Sequence, residues 1–105
     1  MNKRFNYLEN ESQIKELVIT GFSSYYCKIG QDFTIFKYSI QLELDDRVPE
    51  FDSFSEYMNS FGDFRGSREK MIDKVYKDIE EILKPKSIVI TTENIPRNSI
   101  FKVTR

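Results

Sequence analysis

A thiol and a carboxylate five residues apart are the groups in this chain best suited to covalent chemistry, in the stretch Cys27-Lys28-Ile29-Gly30-Gln31-Asp32-Phe33. A thiolate is the strongest nucleophile a side chain offers, and a nearby carboxyl group can manage the proton that covalent addition requires. The same cysteine also suits an inert interior position, where a free thiol packs as a small hydrophobe. The sequence contains no histidine. That removes Ser-His-Asp and Cys-His pairs and the imidazole ligands of most catalytic zinc sites, so no metal centre is expected. Any catalysis must rest on Cys, Asp, Glu, Lys, Tyr, Arg or a bound cofactor.

The elements that must position these residues are readable from periodicity. Residues 1–12 are polar and read as an N-terminal arm to a single domain over residues 13–105. Ile14 to Thr20 is rich in branched residues and predicts a strand ending near Gly21, with Phe22 to Tyr26 as a short connection. Phe33 to Leu44 alternates, with Phe36, Tyr38, Ile40, Leu42 and Leu44 on one face and Lys37, Ser39, Gln41 and Glu43 on the other. Asp45-Asp46-Arg47-Val48-Pro49 closes that strand. Phe51, Phe54, Tyr57, Met58 and Phe61 recur at helical spacing and predict a short helix over about 51–60.

Ser67 is a good N-cap for a longer helix, with Glu69 in the first turn where the helix dipole favours a carboxylate. Met71, Ile72, Val75, Ile79, Ile82 and Leu83 form its apolar stripe, and Pro85 ends it near Lys84. Ser87 to Thr92 and Ile100 to Thr104 predict two further strands, separated by a loop over Glu93 to Ser99 that contains Pro96. The order strand, strand, helix, helix, strand, strand predicts an α+β domain. A four-stranded antiparallel sheet carries both helices on a single face. The other face then needs a partner, most simply another copy of the chain.

Composition narrows the partners. Lys and Arg number 16 against 17 Asp and Glu, so no basic field points to nucleic acid or membrane surface. No run of about 18 apolar residues occurs, and the N-terminus lacks the apolar core of a signal peptide. A cytoplasmic protein is the expectation. The single cysteine is compatible with a reducing compartment.

With Glu50, Ser53, Tyr57, Ser60, Phe61, Glu69, Pro85, Pro96 and Arg97 aligned, the chain resembles the 7-cyano-7-deazaguanine reductases of queuosine biosynthesis, which have the tunnelling fold. The resemblance spans roughly residues 14–104. Glu50-Phe51-Asp52-Ser53-Phe54-Ser55-Glu56-Tyr57 stands in place of the family's E-S-K-S-L-K-x-Y, and Ser60-Phe61 begins its S-F-R-N. Cys27-Lys28-Ile29-Gly30-Gln31-Asp32-Phe33 is similar to its C-P-x-T-G-Q-P-D-F with both prolines missing. On this alignment the resemblance implies Cys27 as nucleophile, Asp32 as acid, and Glu69, Ser53 and Glu50 as substrate-binding residues. A rival alignment, one residue out of step, places Tyr26 at the nucleophile position.

The implied chemistry is attack of cysteine on a nitrile carbon to give a covalent thioimide. In the reductases the thioimide is reduced with NADPH. In the shorter reductase-like proteins of archaeosine synthesis it is converted to an amidine with ammonia. Both signature lysines that serve NADPH in the family are replaced here, by Asp52 and Ser55, and a phosphate near Asp52 is repelled. The family's histidine before the glutamate is Arg68, and its P-R-G-G is Pro96-Arg97-Asn98-Ser99. A dihydroneopterin aldolase-like enzyme of the same fold, and a purine- or pterin-binding subunit without turnover, are the alternatives. Each implies a small purine- or pterin-like ligand and a homo-oligomer with sites between subunits.

Overall fold

The computed structural model describes residues 3–95 and 99–105, so Pro96 and Arg97 of the resemblance lie outside the described residues. Its elements are β1 (Tyr7–Glu9), β2 (Glu16–Cys27), β3 (Asp32–Glu43), β4 (Arg47–Pro49), α1 (Phe51–Asn59), a 3-10 turn (Ser60–Asp63), β5 (Arg65–Gly66), α2 (Arg68–Leu83), β6 (Ser87–Ile95) and β7 (Ser99–Thr104). The main sheet has the order β5-β2-β3-β6-β7. Strands β2, β3, β6 and β7 run antiparallel in the expected sequence.

Two features depart from a four-stranded sheet. The short β5 adds a fifth strand, parallel to the end of β2, with Gly66 opposite Cys27. An edge strand leaves half its backbone groups unpaired. Here Tyr26 N–H donates to the Phe64 carbonyl at 2.9 Å and Lys28 N–H to the Gly66 carbonyl at 3.2 Å. Separately, β1 pairs with β4 in a two-stranded ribbon. The stretch read as a polar arm therefore joins the fold. Phe5, 4% exposed, sets its ring edge-on to Phe54 and Tyr57, with centroids 4.9 and 5.2 Å away.

The first long strand does not stop at Gly21. It continues through Phe22 to Tyr26 and ends at Cys27. A glycine in a strand interior weakens it unless something occupies the empty face. Gly21 lies opposite Tyr38, and a Cβ built there would come within 2.5 Å of the Tyr38 hydroxyl oxygen. The glycine is thus the seat for a buried tyrosine ring rather than a strand end.

Both helices lie over the sheet face that carries Phe36, Tyr38, Ile40, Leu42, Ile88 and Ile90. Helix α2 starts as expected, with the Ser67 hydroxyl accepting from Lys70 N–H at 3.2 Å. It ends at Lys84, whose φ of 49° is left-handed, ahead of Pro85. Its stripe buries Met71, Ile72, Val75, Ile79, Ile82 and Leu83. Helix α1 buries Phe54, Tyr57 and Met58. One polar tie joins the two: the buried Tyr57 hydroxyl donates to Asp78 Oδ2 at 2.6 Å, and Lys74 Nζ donates to the same oxygen at 3.0 Å. Burial, and then the neighbouring carboxylate, push the Tyr57 hydroxyl far above its usual range.

The opposite sheet face has no covering element among the described residues. Val18, Phe22, Phe33, Ile35 and Ile100 are each more than half exposed, at 57, 59, 62, 55 and 67%. No helix of the structure is long and apolar enough to cross a membrane.

The Gly21–Tyr38 contact makes a stability prediction. Gly21→Ala forces the Tyr38 ring out of its seat and lowers unfolding stability by about 1–3 kcal/mol, as overpacking does. Urea denaturation followed by circular dichroism reads it. An unchanged or raised midpoint contradicts the seat.

Candidate active site

The register of the β2–β3 hairpin sets the site. Its pairs run from Glu16 opposite Glu43 to Cys27 opposite Asp32, and the four residues 28–31 close the turn. Residues directly opposite on antiparallel strands share a face, with Cβ atoms about 4.5–5.5 Å apart. Cys27 and Asp32 are therefore neighbours across the strand pair, at the mouth of the hairpin. Cys27 is half-buried, and its Sγ accepts a hydrogen bond from Gly30 N–H at 3.5 Å. Gln31 supplies the left-handed turn residue, with φ of 56°.

Strand parity separates the two nucleophile candidates. Alternate residues point to opposite faces, so Cys27 shares the helix-covered side with Tyr25, while Tyr26 faces the other way. Tyr26 sits edge-on to Phe33, with ring centroids 5.2 Å apart, and the Arg65 guanidinium lies 4.7 Å from its ring centroid.

Beside Cys27 the structure assembles Arg68, which stands at the family's histidine position, with two groups that the sequence reading did not single out, Tyr25 and Asn94. Tyr25 is 2% exposed, and its hydroxyl interacts with the side chains of Arg68 and Asn94. Burial first, and then the nearby Cys27, raise the Tyr25 hydroxyl above its ordinary value, against the lowering by Arg68 and Asn94. Arg68 Nη2 donates to Ser99 Oγ at 3.0 Å, which ties the start of α2 to β7. Asn94 is 5% exposed, and among the described residues its Oδ1 is buried without a hydrogen-bond partner. A buried acceptor in that state is a place for a ligand N–H. The signal for Tyr25 was parity with Cys27. It was hidden because residues 22–26 read as a connection rather than as strand.

Glu69 lies in the first turn of α2, three residues after the strand β5 that flanks Cys27. It is exposed, and its carboxylate has no ion-pair partner among the described residues. Helix start, Cys27 and Asp32 thus come to one end of the molecule. Glu50 and Ser53 do not join them within this chain. Glu50 caps α1, accepting from Asp52 N–H at 2.7 Å and Ser53 N–H at 3.0 Å. Ser53 Oγ accepts from Asn6 N–H at 2.9 Å. This first turn follows β4, which comes after the end of β3 remote from Asp32.

The residues expected to meet NADPH phosphates do not fit that group. Asp52 and Ser55 are exposed on α1, whose first six residues and cap carry the carboxylates of Glu50, Asp52 and Glu56. Glu56 is paired with Lys3 at 3.2 Å, and the other two carboxylates disfavour a polyphosphate beside them. Among the described residues, no three of Cys, Asp and Glu gather closely enough to hold a metal ion.

No protein-family model matches the sequence, and no curated protein matches it. A comparison with solved structures finds the crystal structure of an archaeosine synthase, described as QueF-like and in the apo form. The two share 14% sequence identity and superpose with a TM-score of 0.73 over 89% of this chain and 93% of that one. Likeness at this identity establishes a common α+β fold.

The Glu50 cap predicts a pH dependence. Hydrogen bonds from Asp52 and Ser53 N–H hold its carboxyl below the ordinary glutamate value of 4.5. A depressed folded-state pKa contributes stability above the unfolded value and loses it as pH falls through the folded one. Glu50→Gln therefore lowers the urea midpoint at pH 7, and its deficit against the unsubstituted chain shrinks as pH falls below 4.5. A deficit that is constant from pH 7 to pH 3 contradicts the cap.

Proposed function

We propose that this chain is a nitrile-adding enzyme of 7-deazaguanine metabolism. Cys27 is its nucleophile and Asp32 handles the proton. The observation that carries the reading is the pairing of Cys27 with Asp32 across one hairpin, on the same face. The fold shared with a protein described as an archaeosine synthase supports it.

The Cys27 sulfur adds to the nitrile carbon of a 7-cyano-7-deazaguanine. A C–S bond forms, one C–N π bond breaks, and the Cys27 thiol proton passes by way of Asp32 to the nitrogen to leave a thioimide. Ammonia then adds to the same carbon, the C–S bond breaks, and the surplus ammonia proton passes by way of Asp32 to the departing Cys27 sulfur. The product is an amidine, with no net oxidation or reduction. Reduction of the thioimide is the competing outcome, and the carboxylates of α1 weigh against a phosphate-bearing hydride donor there. Glu69 suits the 2-amino-pyrimidinone edge, since a carboxylate accepts two parallel N–H bonds.

The uncovered apolar face and the remote Glu50 and Ser53 favour a site completed between copies of the chain. In such an assembly, Glu50 and Ser53 approach Cys27 from a neighbour. Light scattering at micromolar concentration should give an oligomer, and a monomer contradicts this part of the reading.

The chemistry is tested by incubating the protein with 7-cyano-7-deazaguanine and weighing it intact. The expected result is an adduct of the full ligand mass, absent in Cys27→Ala. In Asp32→Asn it forms about 100-fold more slowly or worse, as loss of a general acid does. Ammonium salt should discharge the adduct and NADPH should not. Absence of both adduct and binding overturns the proposal.

A further inference from the structure

A recess at the outer edge of the sheet, beside the Cys27 turn, gathers cations that the proposed chemistry does not use. Its volume is about 370 Å³, and it is lined by Lys28, Ile29, Arg65, Gly66, Ser67 and Lys70. Three of the six lining residues are cationic and none is acidic. Among the described residues, none of the three cations forms an ion pair. Five cations elsewhere are ion-paired: Lys3 with Glu56, Arg4 with Glu81, Lys74 with Asp78, and Lys77 and Arg105 with Asp73. Three like charges lining one recess repel one another, and an anion bound among them relieves that repulsion.

The recess is also held in shape. Lys28 N–H is pinned to the Gly66 carbonyl at 3.2 Å. The Arg65 guanidinium lies over the Tyr26 ring at 4.7 Å and near the Phe33 ring at 5.8 Å from their centroids. Stacking of this kind orients its planar fork of donors, which matches phosphate oxygens bidentately. Gly66, in the wall, packs closely on Phe64, whose ring a Cβ there would meet at 3.1 Å. Glu69, next to Lys70 in sequence, does not line the recess.

We propose that this recess binds a phosphate group through Arg65, Lys28 and Lys70. The group is either the phosphate of a monoester or the diester linkage of a nucleotide chain. The proposal stands on residues other than Cys27 and Asp32, so it survives or fails apart from the nitrile chemistry.

The test is a titration of the isotope-labelled protein followed by amide NMR, with potassium chloride at matched ionic strength as control. Inorganic phosphate probes the monoester dianion, and a dinucleoside monophosphate probes the diester. The expected result is a saturable shift of amides in residues 28–30 and 65–70 with at least one of the two. Response to the first alone assigns the monoester, and response to the second assigns the diester. Arg65→Gln combined with Lys70→Gln should weaken binding about tenfold or more with the rest of the spectrum unchanged, while Lys84→Gln, at the far end of α2, leaves it intact. Non-saturating shifts equal to those from chloride, or shifts elsewhere in the molecule, overturn the proposal.

Discussion

The two-residue period of a long antiparallel hairpin is the constraint on which the rest of this molecule depends. Twelve pairs lock β2 to β3, and every side chain on them is assigned to one face or the other by that register. A slip of one residue would send Phe36, Tyr38, Ile40 and Leu42 to the open side and break the core. The pairing that buries them also sets Cys27 against Asp32. Site and core therefore share one determinant, and the site cannot shift without loss of packing.

The helices complete the arrangement. Helix α2 crosses the covered face with its start beside Cys27, so Arg68 and Glu69 reach the same end of the molecule as the hairpin mouth. Its far end is held by Arg47, which donates to the Ile82 carbonyl at 2.8 Å. Between them, Tyr57 and Asp78 fix α1 against α2 by a buried hydrogen bond. A bond of this kind is costly to break, since the Tyr57 hydroxyl would be left buried and unpaired while Asp78 kept only Lys74. The 3-10 turn after α1 then delivers β5 to the edge of β2, closing one side of the site.

Much of this was legible in the chain. The alternation of Phe36 to Leu44 and the stripe from Met71 to Leu83 place the central strand and the long helix because burial on one face imposes a period. Ser67 marks the helix start for a local reason, its hydroxyl satisfying a free backbone N–H. Gly21 misleads, because its role is to leave room for Tyr38, a residue seventeen positions later. Propensity sees the glycine and not the ring. The strand Arg65–Gly66 is equally hidden, as two residues carry no period and pair only because β2 presents a free edge there. Tyr25 and Asn94 became visible beside Cys27 once the true length of β2 fixed which way each residue points. Glu50 and Ser53 show the reverse case. Their types suit ligand binding, yet within one chain their hydrogen bonds are spent on a helix cap and the N-terminal segment.

The central claim is that Cys27, presented opposite Asp32, forms a bond to a nitrile carbon. Carbon NMR of 7-cyano-7-deazaguanine labelled at that carbon tests it most directly, because addition of sulfur changes the carbon from linear to trigonal. The account predicts that the nitrile signal is replaced on binding by one in the thioimide range, and that Cys27→Ala retains only the nitrile signal. A bound ligand whose nitrile signal persists with Cys27 in place would contradict it.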